Sequence, residues 1–118
     1  MIIDYINGID DVKEKVNERI SGDQASTTII SHYELLKGAE SREEQTTVAN
    51  VLSNLRIYAL DSASVTESSS LFRMLKKKGK MIPEQDIMVA GLVISRKETL
   101  ITRDRHFKEI GNLELILI

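Results

Sequence analysis

Residues 84–95 read EQDIMVAGLVIS, and the helix predicted there is apolar on nearly every side. Such a helix has no face suited to water, so other parts of the domain must cover it. Short β-branched or apolar segments at 25–31, 56–60, 99–102 and 113–118 are predicted strands. Strands that alternate with helices, one of them buried, predict a three-layer α/β domain with a mostly parallel central sheet.

The other predicted helices are amphipathic. One contains apolar residues at helical spacing, namely Ile9, Val12, Val16 and Ile20. Another begins with SHYELLKGA at 31–39, and a third surrounds the apolar residues of 48–55. The last spans 62–80, where Gly79 is the expected stop.

Length and composition narrow the class of protein. A chain of 118 residues is expected to form a single domain, residues 1–118, with a real core. It has no cysteine, which excludes disulfide frameworks, zinc fingers and thiol nucleophiles. The net charge of −2 gives no global attraction to nucleic acid. No apolar run is long enough to span a bilayer and no signal-peptide profile is present, so we expect a cytoplasmic protein.

Three acidic residues stand at the ends of predicted elements, and each has a simple structural explanation. Glu34 lies three residues after Ser31, which is the spacing of a capping box. Asp86 follows Pro83 in the first turn of the buried helix, where an acid complements the helix dipole. Asp104 follows the strand at 99–102 and can cap the turn after it. None of the three is specific by itself.

The joint placement of these acids says more. Glu34 and Asp104 lie just beyond the carboxyl ends of strands, and Asp86 opens the helix that leads into one of them. In an open parallel sheet such positions converge on the crevice where ligands bind. Clustered carboxylates repel unless a hard divalent cation neutralises them. The pattern therefore predicts a Mg²⁺ or Mn²⁺ site suited to phosphodiester hydrolysis.

Three blocks, SHYELLKGAE, IPEQDIMVAGLVI and LITRDRHFKEIGNLELI, resemble in order and spacing the successive motifs of PIN-domain proteins. The likeness is greatest to the VapC-type toxins of toxin–antitoxin pairs and covers essentially the whole chain. The resemblance implies that Glu34, Asp86 and Asp104 occupy the family's second, third and fourth acidic positions. The family's strand-end threonine corresponds to Thr102. His106 stands where relatives often carry another aspartate, and it is not counted among the expected ligands.

The N-terminus departs from the family pattern. Matching Ile3-Asp4-Tyr5 to a similar stretch of the family places Met1 after the first acidic motif. This alignment, which we favour from sequence, predicts that the first strand and the first acid are absent and that RNA is cleaved poorly. Two alternatives are a misassigned start and a stub strand at residues 1–3 with Asp4 in the acid's place.

The resemblance implies an endoribonuclease that uses Mg²⁺ or Mn²⁺, acts on RNA and is inhibited by a cognate VapB-type antitoxin. It also implies a homodimer, with apolar residues of helices at 8–21 and 42–56 available for partner binding. Two other functions stay open. The chain is alternatively a catalytically impaired PIN scaffold that mainly binds its antitoxin or oligomerises. The other possibility is a small α/β domain whose acids merely cap helices.

Overall fold

Five short strands form one parallel sheet in the computed structural model, which describes residues 1–4 and 25–118. The sheet order is β3-β2-β1-β4-β5, and every neighbouring pair is parallel. The predicted α/β class with a parallel central sheet is therefore confirmed. The strands within the described residues are β1 (Ile2–Ile3), β2 (Ser26–Thr28), β3 (Arg56–Tyr58), β4 (Leu100–Thr102) and β5 (Leu115–Leu117).

The described α-helices lie in the connections from β2 to β3 and from β3 to β4, and they cover both faces of the sheet. The described α-helices are α1 (Ile29–Gly38), α2 (Arg42–Ser53), α3 (Ser62–Lys78) and α4 (Glu84–Ser95). A 3₁₀ helix, Arg105–Glu109, follows β4. The helix predicted from the apolar residues of 9–20 lies outside the described residues. Across residues 1–4 and 25–118, no helix is both long and apolar enough to cross a membrane.

Alternate residues of the central strands supply two separate apolar cores. Ile2 and Leu100 pack with α3 and α4 on one face of the sheet. Ile3 and Ile101 pack with α1 and α2 on the other face. Successive side chains of a strand point to opposite faces, so two adjacent residues of β1 contribute to both cores. Helix α4 is largely buried, as its apolar sequence predicts.

The favoured expectation of a missing first strand is wrong. Ile2–Ile3 forms β1 in the middle of the sheet, paired with β2 on one side and β4 on the other. Its hydrogen bonds continue beyond the strand, because the Asp4 amide donates to the Ile101 carbonyl at 2.9 Å. The stub-strand alternative describes what is observed, since two residues suffice to fill the gap between β2 and β4.

Several element boundaries differ from the prediction. Helix α1 begins at Ile29, and its N-cap is Thr28, whose hydroxyl accepts a hydrogen bond from the Ser31 amide. The expected capping box of Ser31 and Glu34 is therefore wrong. The predicted stop at Gly79 is confirmed, because Gly79 ends α3 in the left-handed conformation with φ of 66°.

Candidate metal centre at the carboxyl edge of the sheet

Asp4 lies at the carboxyl end of the central strand, where its side chain is almost completely enclosed. The residue is 3% exposed. Its Oδ1 accepts a hydrogen bond from the Ser31 hydroxyl at 3.1 Å, and its Oδ2 accepts one from the Thr102 hydroxyl at 3.0 Å. Both donors are fully buried. Asp4 is thus held in one orientation by two hydroxyl groups from neighbouring elements.

The two donors owe their positions to local backbone structure. Ser31 occupies the first turn of α1, which Thr28 caps directly after β2. Thr102 ends β4, and its hydroxyl also accepts a hydrogen bond from the Asp104 amide at 3.0 Å. Thr102 therefore forms hydrogen bonds within the acidic site, with Asp4 and with the amide of Asp104. Parallel strands that end together bring these side chains to one edge, at the crevice typical of ligand sites.

Asp86, Asp104 and His106 form a compact group beside Asp4. One ligand atom from each lies within 4.8 Å of the others. Nδ1 of His106 is 3.2 Å from Oδ2 of Asp86 and 3.1 Å from Oδ1 of Asp104. Asp86 stands in the first turn of α4, where no side chain caps the helix. Asp104 also accepts a hydrogen bond from the His106 amide at 2.9 Å, so its predicted capping role is confirmed.

Burial and mutual repulsion oppose negative charge on Asp4. Burial raises the pKa of Asp4 to about 7, although hydrogen bonds from Thr102 and Ser31 act in the opposite direction. The carboxylates of Asp86 and Asp104 raise the pKa of Asp4 further. The ionised form of Asp4 is therefore costly at neutral pH unless positive charge is nearby.

The surroundings of Asp86 also raise the pKa of its carboxyl group. Burial raises the pKa of Asp86 to about 6, and the neighbouring Asp104 carboxylate adds to the increase. The contact with His106 works against it. Asp86 and Asp4 thus both belong to an edge of the sheet where negative charge is in excess.

This donor set fits a divalent cation. Adjacent ligands of an octahedral ion with metal–ligand distances of about 2.1 Å lie roughly 3 Å apart. The separations of His106 from the two carboxylates, 3.1 and 3.2 Å, are close to that value. Carboxylate oxygens and an imidazole nitrogen are both metal donors, and a cation would relieve the repulsion among the acids. The geometry and the charge therefore agree with the predicted kind of site.

Glu34 is not a member of this compact group. It lies on α1, one turn after Ser31, and its carboxylate forms an ion pair with Lys37 at 3.1 Å. Its side chain is partly exposed. The structure thus brings together two of the three acids expected from sequence, Asp86 and Asp104, and leaves Glu34 outside their group, on the helix that carries Ser31.

Sequence reasoning gave too little weight to two residues. Asp4 was only an alternative, although it directly follows Ile2-Ile3 as Asp104 closely follows the apolar strand β4. His106 was set aside because relatives often carry an aspartate at that position. The pattern of an apolar run followed by an acid was the available sign for Asp4. The direction of the His106 ring, in contrast, depends on the 3₁₀ helix and on α4 together.

Comparison with known proteins agrees with the fold. The PIN domain pattern matches residues 1–113. Ribonuclease VapC1 of Methanocaldococcus jannaschii is 29% identical over 118 residues, which cover 98% of this chain and 84% of the relative. The structure is similar to VapBC2 from Rickettsia felis bound to a promoter DNA fragment, with a TM-score of 0.81 and 23% identity over 100% of this chain and 99% of the other. It is also similar to DNA-bound VapBC from Salmonella typhimurium, with a TM-score of 0.81 and 23% identity over 98% of this chain and 95% of the other.

Proposed function

Because the chain belongs to the PIN domain family, we propose that it is a metal-dependent endoribonuclease and the toxin of a toxin–antitoxin pair. The observation that carries the proposal is the convergence of Asp4, Asp86, Asp104 and His106 at the carboxyl edge of the sheet. The similarity to a protein named Ribonuclease VapC1 supports RNA as the substrate class. The similarity to VapBC structures supports the assignment to a toxin–antitoxin pair.

The division of work among the side chains follows from their positions. Asp86, Asp104 and His106 would hold a Mg²⁺ or Mn²⁺ ion, which supplies a hydroxide nucleophile and neutralises charge that develops on phosphate. Asp4 adds negative charge beside this group and is kept in place by its two hydroxyl donors. The positioned carboxylates restrict the orientation of water and phosphate, which lowers the entropic cost of reaction.

Glu34 remains a proposed catalytic and metal-binding residue. It is on the same helix as Ser31, which contacts Asp4, and the separation of three residues puts both on neighbouring parts of one helix face. Glu34 would join the site by exchanging its ion pair with Lys37 for a water or a cation. We therefore expect Glu34→Gln to lower the rate of RNA cleavage. Glu40→Gln, at an exposed position, should leave the rate unchanged.

We expect the wild-type protein to cleave RNA in the presence of Mg²⁺ or Mn²⁺ and to stop when a chelator is added. The earlier expectation of weak cleavage depended on an absent strand and so loses its basis. Asp86→Asn removes a negative ligand but keeps the size of the side chain. Loss of transition-state stabilisation of about 3–4 kcal/mol would reduce the rate by roughly 10²–10³-fold.

The matched control is Glu84→Gln, an exposed acid on the same first turn of α4. It should cleave RNA as the wild type does. Neither variant should melt at a clearly lower temperature than the wild type. Equal cleavage by Asp86→Asn and wild type would refute the proposed site, and a large loss of stability in Asp86→Asn would favour a purely structural acid. Absence of cleavage by a folded wild type that still binds an antitoxin would favour the impaired scaffold.

We further propose a VapB-type antitoxin as a partner and a homodimer as the assembly. The fold similarity to VapBC complexes supports the antitoxin, and light scattering tests the dimer. The expected binding surfaces need one revision. The stretch 8–21 lies outside the described residues, and Val48 and Leu52 of α2 pack into the core. These two apolar residues are therefore not available to a partner.

A further inference from the structure

The imidazole of His106 lies between two carboxylates that the proposed function assigns to a metal. Its Nδ1 is the ring atom in contact with Asp86 and Asp104, at 3.2 and 3.1 Å. The side chain is about half exposed, at 55%, while those of Asp86 and Asp104 are much less so, at 11% and 20%. One nitrogen donor therefore lies at the solvent side of an otherwise oxygen-rich group.

Local structure holds the ring at this position. The His106 amide donates to the Asp104 carboxylate, which begins the 3₁₀ helix directly after β4. The next residue, Phe107, is fully buried in the core beside α4. Anchoring on both sides of His106 limits the freedom of its backbone, so its side chain is directed at the first turn of α4.

We propose that His106 is a metal ligand and makes this site prefer Mn²⁺ over Mg²⁺. This inference rests on the proposed function for the presence of a metal. Mg²⁺ is a hard ion that takes oxygen ligands and keeps several waters. Imidazole suits first-row transition ions, for which affinity rises from Mn²⁺ onward through the series. A site with two carboxylates and one imidazole thus favours Mn²⁺, whereas carboxylates alone do not distinguish the two ions in this way.

The competing explanation is an ordinary ion pair between His106 and the carboxylates. In that case a protonated ring would occupy the place of the cation and would compete with either metal. Removing the imidazole would then strengthen binding of both Mg²⁺ and Mn²⁺. Direct ligation makes the opposite prediction, because loss of the nitrogen donor weakens Mn²⁺ binding far more than Mg²⁺ binding.

The test measures the dissociation constants of Mn²⁺ and Mg²⁺ by calorimetry on the full chain without RNA. His106→Asn is compared with the wild type and with His32→Asn, a change at the chain's other histidine. We expect His106→Asn to weaken Mn²⁺ binding by at least about tenfold, and Mg²⁺ binding by much less. His32→Asn should behave as the wild type. An equal loss for both ions, or a gain for both, would overturn the inference.

Pulsed electron paramagnetic resonance of the Mn²⁺-loaded protein gives an independent readout. A directly bound imidazole produces nitrogen modulation, which we expect in the wild type and in His32→Asn but not in His106→Asn. A wild-type spectrum without nitrogen modulation would overturn the inference. Asp86→Asn separates this failure from failure of the proposed function. If Asp86→Asn loses both ions while the wild type shows no preference, the metal site stands and the role of His106 fails. If Asp86→Asn binds both ions as the wild type does, both proposals fail.

Discussion

Burial and hydrogen bonding shift the pKa of Asp4 in opposite directions. Hydroxyl donors from Ser31 and Thr102 favour its charged form, but near-complete burial disfavours that form more strongly. The same two hydroxyls can rotate to accommodate a protonated carboxyl group, since each can also accept a hydrogen bond. The carboxyl group of Asp4 would therefore keep a proton close to neutral pH in the metal-free protein.

The stability of the metal-free protein should therefore fall as pH rises. The pKa of Asp4 increases from 3.8 to about 7 on folding, so the folded state binds the extra proton between these values. The resulting stabilisation is complete below the unfolded pKa and is lost as pH rises through the folded pKa. Asp86, with a pKa raised to about 6, acts in the same direction. We expect a lower melting temperature in chelator at pH 8 than at pH 5.

Asp4→Asn tests the origin of this pH dependence. The substituted side chain has nearly the same shape and no ionisable group, so the decrease between pH 5 and pH 8 should become smaller. Glu84→Gln, at an exposed position, should keep the wild-type decrease. If Asp4→Asn and wild type show the same decrease, Asp4 does not bind the extra proton in the folded state.

At the residue scale, the sequence predicted that acidic side chains converge, but it did not identify all the residues of the site. Asp86 and Asp104 were predictable because each stands at the boundary of a strongly apolar element. Their convergence follows from parallel topology alone. The side chain of Glu34 pairs with Lys37, a local contact that strand and helix patterns do not determine. The same is true of the His106 ring, which depends on a contact between separate elements.

At the element scale, α3 and α4 pack closely at a single glycine. A Cβ atom added to Gly91 would lie 2.0 Å from Oγ of Ser68, 2.7 Å from the Ser68 amide nitrogen and 2.9 Å from the Ser64 carbonyl oxygen. The side chain of Ser68 can rotate, but the two backbone atoms cannot move without shifting α3. Gly91 is therefore required for the separation of these two helices.

Gly91→Ala should destabilise the protein by about 1–3 kcal/mol, the usual cost of overpacking. Gly38→Ala is the matched control, because no atom beyond its chain neighbours and the nearby backbone of its own helix lies within 4 Å of the added Cβ, and alanine favours helix. Gly38→Ala should be neutral or slightly stabilising. Urea unfolding of both variants measures the difference, and equal stability of Gly91→Ala and wild type would show that α3 adjusts without cost.

The pattern of residues predicted the types of elements better than their ends. The β-branched run at 27–30 indicates a strand, yet the helix begins at Ile29. The Thr28 hydroxyl satisfies an amide of the first helical turn, and this local hydrogen bond overrides the strand preference of the two isoleucines. Gly79 marked its boundary correctly because a left-handed residue is needed there.

At the scale of the whole molecule, a strand of two residues joins both cores and the candidate site. Ile2 and Ile3 are fully buried on opposite faces of the sheet, and Asp4 follows them directly. Family alignment suggested that this strand was missing, because it compares residue types and not sheet contacts. The requirement to pair β2 and β4 in the interior favours the stub, since unpaired buried backbone groups are costly.

Because Asp4 directly follows a strand that belongs to both cores, we expect cation binding and folding to be linked. A cation that binds the folded state alone stabilises it by about 2.7 kcal/mol at one hundred times its dissociation constant. At pH 8 the carboxyl groups of Asp4 and Asp86 are largely ionised, because this pH lies above their pKa values of about 7 and about 6. Excess Mn²⁺ should therefore raise the melting temperature at pH 8 by several degrees. The increase should be much smaller at pH 5, where protons compete with the metal.

Asp86→Asn identifies whether this stabilisation comes from the candidate site. The variant lacks one carboxylate next to His106 and Asp104, so its melting temperature should hardly respond to Mn²⁺ at pH 8. Glu84→Gln should respond as the wild type does, because its substituted side chain is exposed. A thermal shift of equal size in Asp86→Asn and wild type would mean that Mn²⁺ acts elsewhere on the protein. A shift at pH 5 as large as that at pH 8 would contradict a site made of these carboxylates, since their protonation must weaken metal binding.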